Sequence, residues 1–89
     1  MTPPRTSAET VLSQVAVGQT ALVLGLHGGR AVGERLAEFG LVPSARVSVL
    51  RNSSHGPLLV AAQGARLALG RGEAAKVRVV VDLAKTGHE

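Results

Sequence analysis

The sequence predicts an all-β fold, a small curled barrel of about five short antiparallel strands with one short α-helix inserted after the first strand. Three observations carry this. Short runs rich in Val, Leu and Ala alternate with glycine-centred turns. One segment switches to helical spacing between a Gly-Gly pair and a Gly-Leu-Val-Pro stop. The chain has 89 residues, enough for one domain with a small core.

The strands follow in order. Leu12 to Val17 is an approach segment ended by Gly18, and Thr20 to Leu26 (TALVLGL) has the density of apolar residues and the length of a strand. His27, Gly28 and Gly29 turn the chain, because glycine enters positive φ at no steric cost. From Arg30 to Phe39, Val32, Leu36 and Phe39 fall at i, i+4 and i+7, the buried stripe of a short helix, so Leu36 and Phe39 are expected to hold it down. Gly40 suits a left-handed helix end, Leu41 can fold back on the last turn, and Pro43 keeps the helix from resuming. Arg46 to Arg51 (RVSVLR) alternates, with Val47 and Val49 inward, although Leu50 breaks its polar face. After the loop NSSHGP comes a hairpin, LLVAA and ARLAL about a Gln63-Gly64 turn, pairing Ala62 with Ala65, Val60 with Leu67 and Leu58 with Leu69. Gly70 to Ala75 makes a turn or a single helical turn, and Lys76 to Val81 (KVRVVV) is the last strand, with Val77, Val79 and Val81 on one face. Residues 1–10 are expected to be a flexible lead-in, 11–81 the barrel, and 82–89 a flexible tail.

Composition limits the chemistry. There is no cysteine, which excludes disulfides, thiolate metal sites and thiol catalysis. Phe39 is the one aromatic residue, so stacking platforms for single-stranded bases are missing. A net charge of +4 suits a nucleic-acid binder, but the arginines are dispersed and no nucleic-acid partner is expected. The start of the sequence does not read as a signal peptide, and no apolar run approaches the roughly 20 residues of a membrane helix. A cytoplasmic location is expected.

Candidate sites are few. His27, His55 and His88 could ligate a metal with Glu34, Glu38, Glu73 or Asp82, but they are scattered, leaving His27 and His55 as weak candidates. Ser48, Ser53 and Ser54 lack the strand-to-helix elbow of a nucleophile, and Glu34 and Glu38 lie one helical turn apart beside Arg35, as on a solvated face. No catalytic constellation forms, so no enzymatic activity and no cofactor are expected. The apolar excess at Leu24, Leu26, Leu41, Val42, Leu50 and Leu59 points instead to a contact patch.

Three stretches in succession resemble the FeoA family of bacterial ferrous iron uptake: L12-x5-G18 with the following strand and the 28–29 turn; R35-L-A-E-F-G-L-V-P43; and G56-P-L-L-V with G64-A-R-L-A-L-G-R-G-E-A75 and K76-V-R-V79. The resemblance spans nearly all of residues 12–81. It implies an SH3-like barrel and a non-catalytic accessory or regulatory role beside FeoB, the GTP-dependent membrane iron transporter, through its cytoplasmic portion. It implies Arg35, Glu38, Gly40, Leu41 and Pro43 as the partner surface. Two departures stand out. Ser44 follows Pro43 where the family commonly has Gly, so that turn need not demand a left-handed backbone here, and NSSHGP is a residue short and lacks an acidic residue. The same barrel ends DtxR-type repressors, whose winged-helix and dimerisation domains are not expected within 89 residues. The alternatives are a basic barrel that binds nucleic acid, and a metal-responsive adaptor or chaperone; weak self-association is compatible with all of them.

Overall fold

In the computed structural model, residues 7–53 and 55–82 are described. Strand β1 (Ser7–Val11) leads through a single 3-10 turn, Leu12–Gln14, to β2 (Thr20–Leu26). Helix α1 (Gly29–Ala37) follows, then β3 (Arg46–Asn52), the hairpin β4 (Leu58–Ala62) and β5 (Ala65–Leu69), the one-turn helix α2 (Arg71–Ala74) and β6 (Val77–Asp82). All neighbours are antiparallel, in the order β1-β6-β2-β3-β4-β5.

The all-β fold with one inserted helix is as the alternation predicts, and the hairpin register is the expected one, Ala62 opposite Ala65, Val60 opposite Leu67 and Leu58 opposite Leu69. The sixth strand is the difference. Residues 7–10, expected in the lead-in, run beside β6 with Thr10 opposite Val79. No alternating apolar pattern announces this strand. What recruits it is the edge of β6, whose backbone groups need partners once Val77, Val79 and Val81 are turned inward. Residues 1–6 and 83–89 lie outside the described residues.

One core accounts for the curvature. Ala21 and Val23 of β2, Val47 and Val49 of β3, Leu58, Val60 and Ala62 of β4, Leu69 of β5, and Val77, Val79 and Val81 of β6 belong to a single buried cluster. A flat sheet of six strands cannot bring one face of its outer strands onto a shared centre, so the sheet curls. Two bulges sharpen the curl. Leu24 is the extra residue of β2 between Val23 and Gly25, and Leu50 that of β3 between Val49 and Arg51. Both point outward, 37% and 39% exposed, which explains why Leu50 interrupts the polar face of its strand.

A polar latch closes the end of the barrel around the 3-10 turn. Asn52 Nδ2 donates to the carbonyls of Ser13 (3.2 Å) and Val15 (2.8 Å). The Arg71 guanidinium donates to the same Ser13 carbonyl (3.2 Å), to that of Gly56 (3.3 Å) and to that of Ser53. Irregular backbone has no ladder to satisfy its carbonyls, and these two side chains supply the missing donors.

Candidate functional site

Helix α1 holds the candidate surface, and its ending decides which side chains face outward. Gly40 N–H donates to the Ala37 carbonyl (2.9 Å) and Leu41 N–H to the Leu36 carbonyl (3.1 Å). These are the paired 5→2 and 6→1 bonds of a Schellman ending, with Gly40 at φ +88° as the left-handed residue. The reversal swings Leu41 back beneath the helix beside Leu36, both fully buried in the core cluster.

Leu41 folds back on the last turn as expected, but two other expectations are corrected. Leu41 is 0% exposed, so its place in the expected partner surface gives way to holding the helix end. Phe39, expected beneath the helix, is 46% exposed. The i, i+4, i+7 spacing applies only while the helix continues at 100° per residue. Here α1 ends at Ala37, and Phe39 N–H bonds the Leu36 carbonyl (3.0 Å) in a tightened last turn that turns the ring outward.

Phe39 borders a cleft of about 390 Å³ between the end of α1 and the β4–β5 hairpin. Ala37, Glu38 and Gly40 line it from the helix side, and Ala65, Arg66 and Leu67 from the strand side. The turn between β4 and β5 has φ +55° at Gln63 and +78° at Gly64, the two positive angles of a type I′ turn. The turn abuts the helix end: a Cβ on Gly40 would lie 2.4 Å from Gln63 Cγ. Gly40 is therefore required twice, by its backbone angle and by this close approach.

The remaining predicted residues separate. Arg35 Nε lies 3.1 Å from Glu73 Oε2, tying α1 to α2, and Glu73 Oε1 in turn accepts from the Gly70 N–H at 3.4 Å. Glu38 and Pro43 are exposed. Ser44, where the sequence did not require a left-handed backbone, has φ +78°. Its N–H donates to the Val23 carbonyl (2.8 Å) while the Val23 N–H donates to Ala45 O (2.8 Å), and this docking onto β2 imposes the left-handed angle whatever residue is present. His27 and His55 are exposed on separate turns, and His88 and Ser54 lie outside the described residues. Among the described residues no three of His, Cys, Asp or Glu gather to hold a metal ion, and no helix is long and apolar enough to cross a membrane. Among the described residues Arg35 and Arg78 pair with Glu73 and Glu9, and Arg71 donates to backbone carbonyls, so these three cations are engaged within the chain.

The FeoA domain family matches residues 10–81. Over 62 residues the chain is 31% identical to a Methanocaldococcus jannaschii protein named "Putative Fe(2+) transport protein A", covering 70% of this chain and 74% of that one. A crystal structure of the iron uptake regulatory protein FeoA superposes with a TM-score of 0.80 at 31% identity, over 83% of this chain and 99% of the other. FeoA of Stenotrophomonas maltophilia, an SH3 domain protein solved in complex with zinc, gives 0.69 at 31% identity over 79% and 88%. The family match runs from β1 to β6 and so takes in both the sheet and the helix-hairpin corner; the chain belongs to the FeoA family.

Proposed function

We propose that this chain is a non-catalytic accessory protein of ferrous iron transport, acting on the cytoplasmic side by binding the cytoplasmic portion of a FeoB-type transporter. The observation that carries the reading is the family match over residues 10–81, together with a relative named for Fe(2+) transport. The cleft supports binding as the mode of action. A partner inserting an apolar side chain beside Phe39 removes from water an aromatic surface that folding leaves half-exposed. Glu38 lines that contact, Gly40 shapes it, Pro43 is exposed just beyond the helix end, and Arg35 joins the helix to α2 through Glu73.

The test is calorimetric titration into the purified cytoplasmic domain of the same organism's transporter, with and without guanine nucleotide. Saturable binding is expected, weakened about tenfold by Phe39→Ala, with the circular dichroism spectrum unchanged. Absence of heat in every nucleotide state at tens of micromolar would sink direct binding to that domain.

A further inference from the structure

The cleft beside Phe39 is bounded by three consecutive residues of β5, Ala65, Arg66 and Leu67. Successive side chains of a strand point to opposite faces, so a hollow touched by all three, and by Ala62 and Gln63, wraps the turn end of the hairpin and reaches the edge of β5. That edge is open. β5 pairs with β4 alone and stands last in the sheet. In a hairpin closed by a two-residue turn, Ala62 and Ala65 exchange both hydrogen bonds, as do Val60 with Leu67 and Leu58 with Leu69. Arg66 and Ala68 are the alternate residues, and their N–H and C=O groups point away from β4. Neither has another backbone partner among the described residues, and both residues are exposed. The edge therefore presents two donors and two acceptors about 7 Å apart along the strand, the spacing of a β-ladder.

We infer that β5 accepts an extended segment of a partner protein as a seventh strand, lying between the hairpin and the end of α1. The charges select its chemistry. Arg66 forms no salt bridge among the described residues and projects from the face of β5 opposite to Leu67, while Phe39, Leu67 and Glu38 line the cleft with it. The segment that fits alternates apolar residues, turned to Phe39 and Leu67, with acidic residues turned to Arg66. Glu38 opposes the reversed orientation and so sets which face of the segment enters. Pairing with a second copy of this chain instead puts two Arg66 side chains on one face with no carboxylate between them. The inference deepens the proposed function and rests on it for the identity of the partner; the mode of binding stands on the edge and the cleft.

The test is amide hydrogen exchange of the full chain with two probes, the transporter's cytoplasmic domain and a short synthetic peptide alternating valine and glutamate. Each is expected to slow the Arg66 and Ala68 amides by about tenfold or more, while Leu67 and Leu69, already bonded to β4, change little. Ala68→Pro removes one outward N–H without touching the β4 ladder, and Arg66→Glu reverses the charge with the backbone intact. Each is expected to weaken binding about tenfold, with native amide dispersion retained. Binding of the transporter domain without protection at Arg66 and Ala68 overturns strand addition and leaves the partner reading in place. Protection by the peptide without binding of that domain does the reverse. Equal binding of a valine-lysine peptide overturns the charge assignment. Protection that grows with the concentration of the chain alone assigns the edge to self-association, and no protection with either probe removes the inference.

Discussion

The sheet and helix α1 attach to the same core by different means. Along β6 every second side chain is buried, Val77, Val79 and Val81, and Val79 and Val81 lie opposite the buried Val23 and Ala21 of β2. Along α1 a single residue, Leu36, is fully buried. The rest of the attachment comes from the partly buried Val32, from Leu41 beyond the helix end, and from the Arg35–Glu73 bridge. A nine-residue helix is unstable alone, and this one has Gly33 in its interior and no side-chain cap at its start. The barrel thus holds itself, while α1 is held at a few points. Cooperative stability belongs to the first region and the adjustable contact surface to the second, the division expected where a rigid scaffold carries a binding element.

Substitutions can break or sharpen this contrast. The largest effect is expected in the barrel: Leu58→Ala leaves a cavity at a fully buried site and should cost about 2–5 kcal/mol in urea unfolding, with fluorescence-free probes such as circular dichroism following one transition. A loss below about 1 kcal/mol there would mean that the barrel is no more tightly built than the helix.

Next comes Gly40→Ala, which imposes a side chain on φ +88° and crowds Gln63. About 2 kcal/mol is expected, together with faster amide exchange at Leu41, whose N–H closes the helix end. Unchanged exchange at Leu41 would show that the Schellman ending does not hold the helix.

The smallest effect has the opposite sign. A Cβ at Gly33 would meet only Leu26 Cδ1 at 3.7 Å, an ordinary contact, and the backbone is already helical. Gly33→Ala should therefore stabilise α1 by about 0.5–1 kcal/mol, seen as slower exchange of the α1 amides with little change in the sheet. If the sheet amides slow equally, the two regions unfold as one unit and the contrast fails.

The sequence by itself determined what depends on neighbours within a few residues. A two-residue Gln63-Gly64 turn between two apolar runs pointed to the hairpin register that the structure has. Gly40 and Pro43 set where the helix stops, and the ordered glycine and leucine motifs were enough to point to the family that the comparisons then showed. Whether Arg35, Glu38 and Pro43 meet a partner is a matter for the titration, but their positions around the helix end follow from the same local signal. Only the tertiary structure decided what depends on distant segments. Phe39 turned outward because the core sits under the reversed chain and not under a continued helix, whereas Leu41 folded back as its place after Gly40 suggests. Residues 7–10 became a strand because β6 had an unfilled edge, and Ser44 took a positive φ because its N–H reaches Val23. Leu24 and Leu50 turned outward because a sheet this small must bulge to close around one core. Asn52 and Arg71 bond carbonyls 39 and 58 residues away at Ser13. Turn chemistry and helix capping act over one or two turns of chain and are legible in it, whereas edge pairing, bulges and side-chain donors answer to partners that proximity in sequence does not reveal.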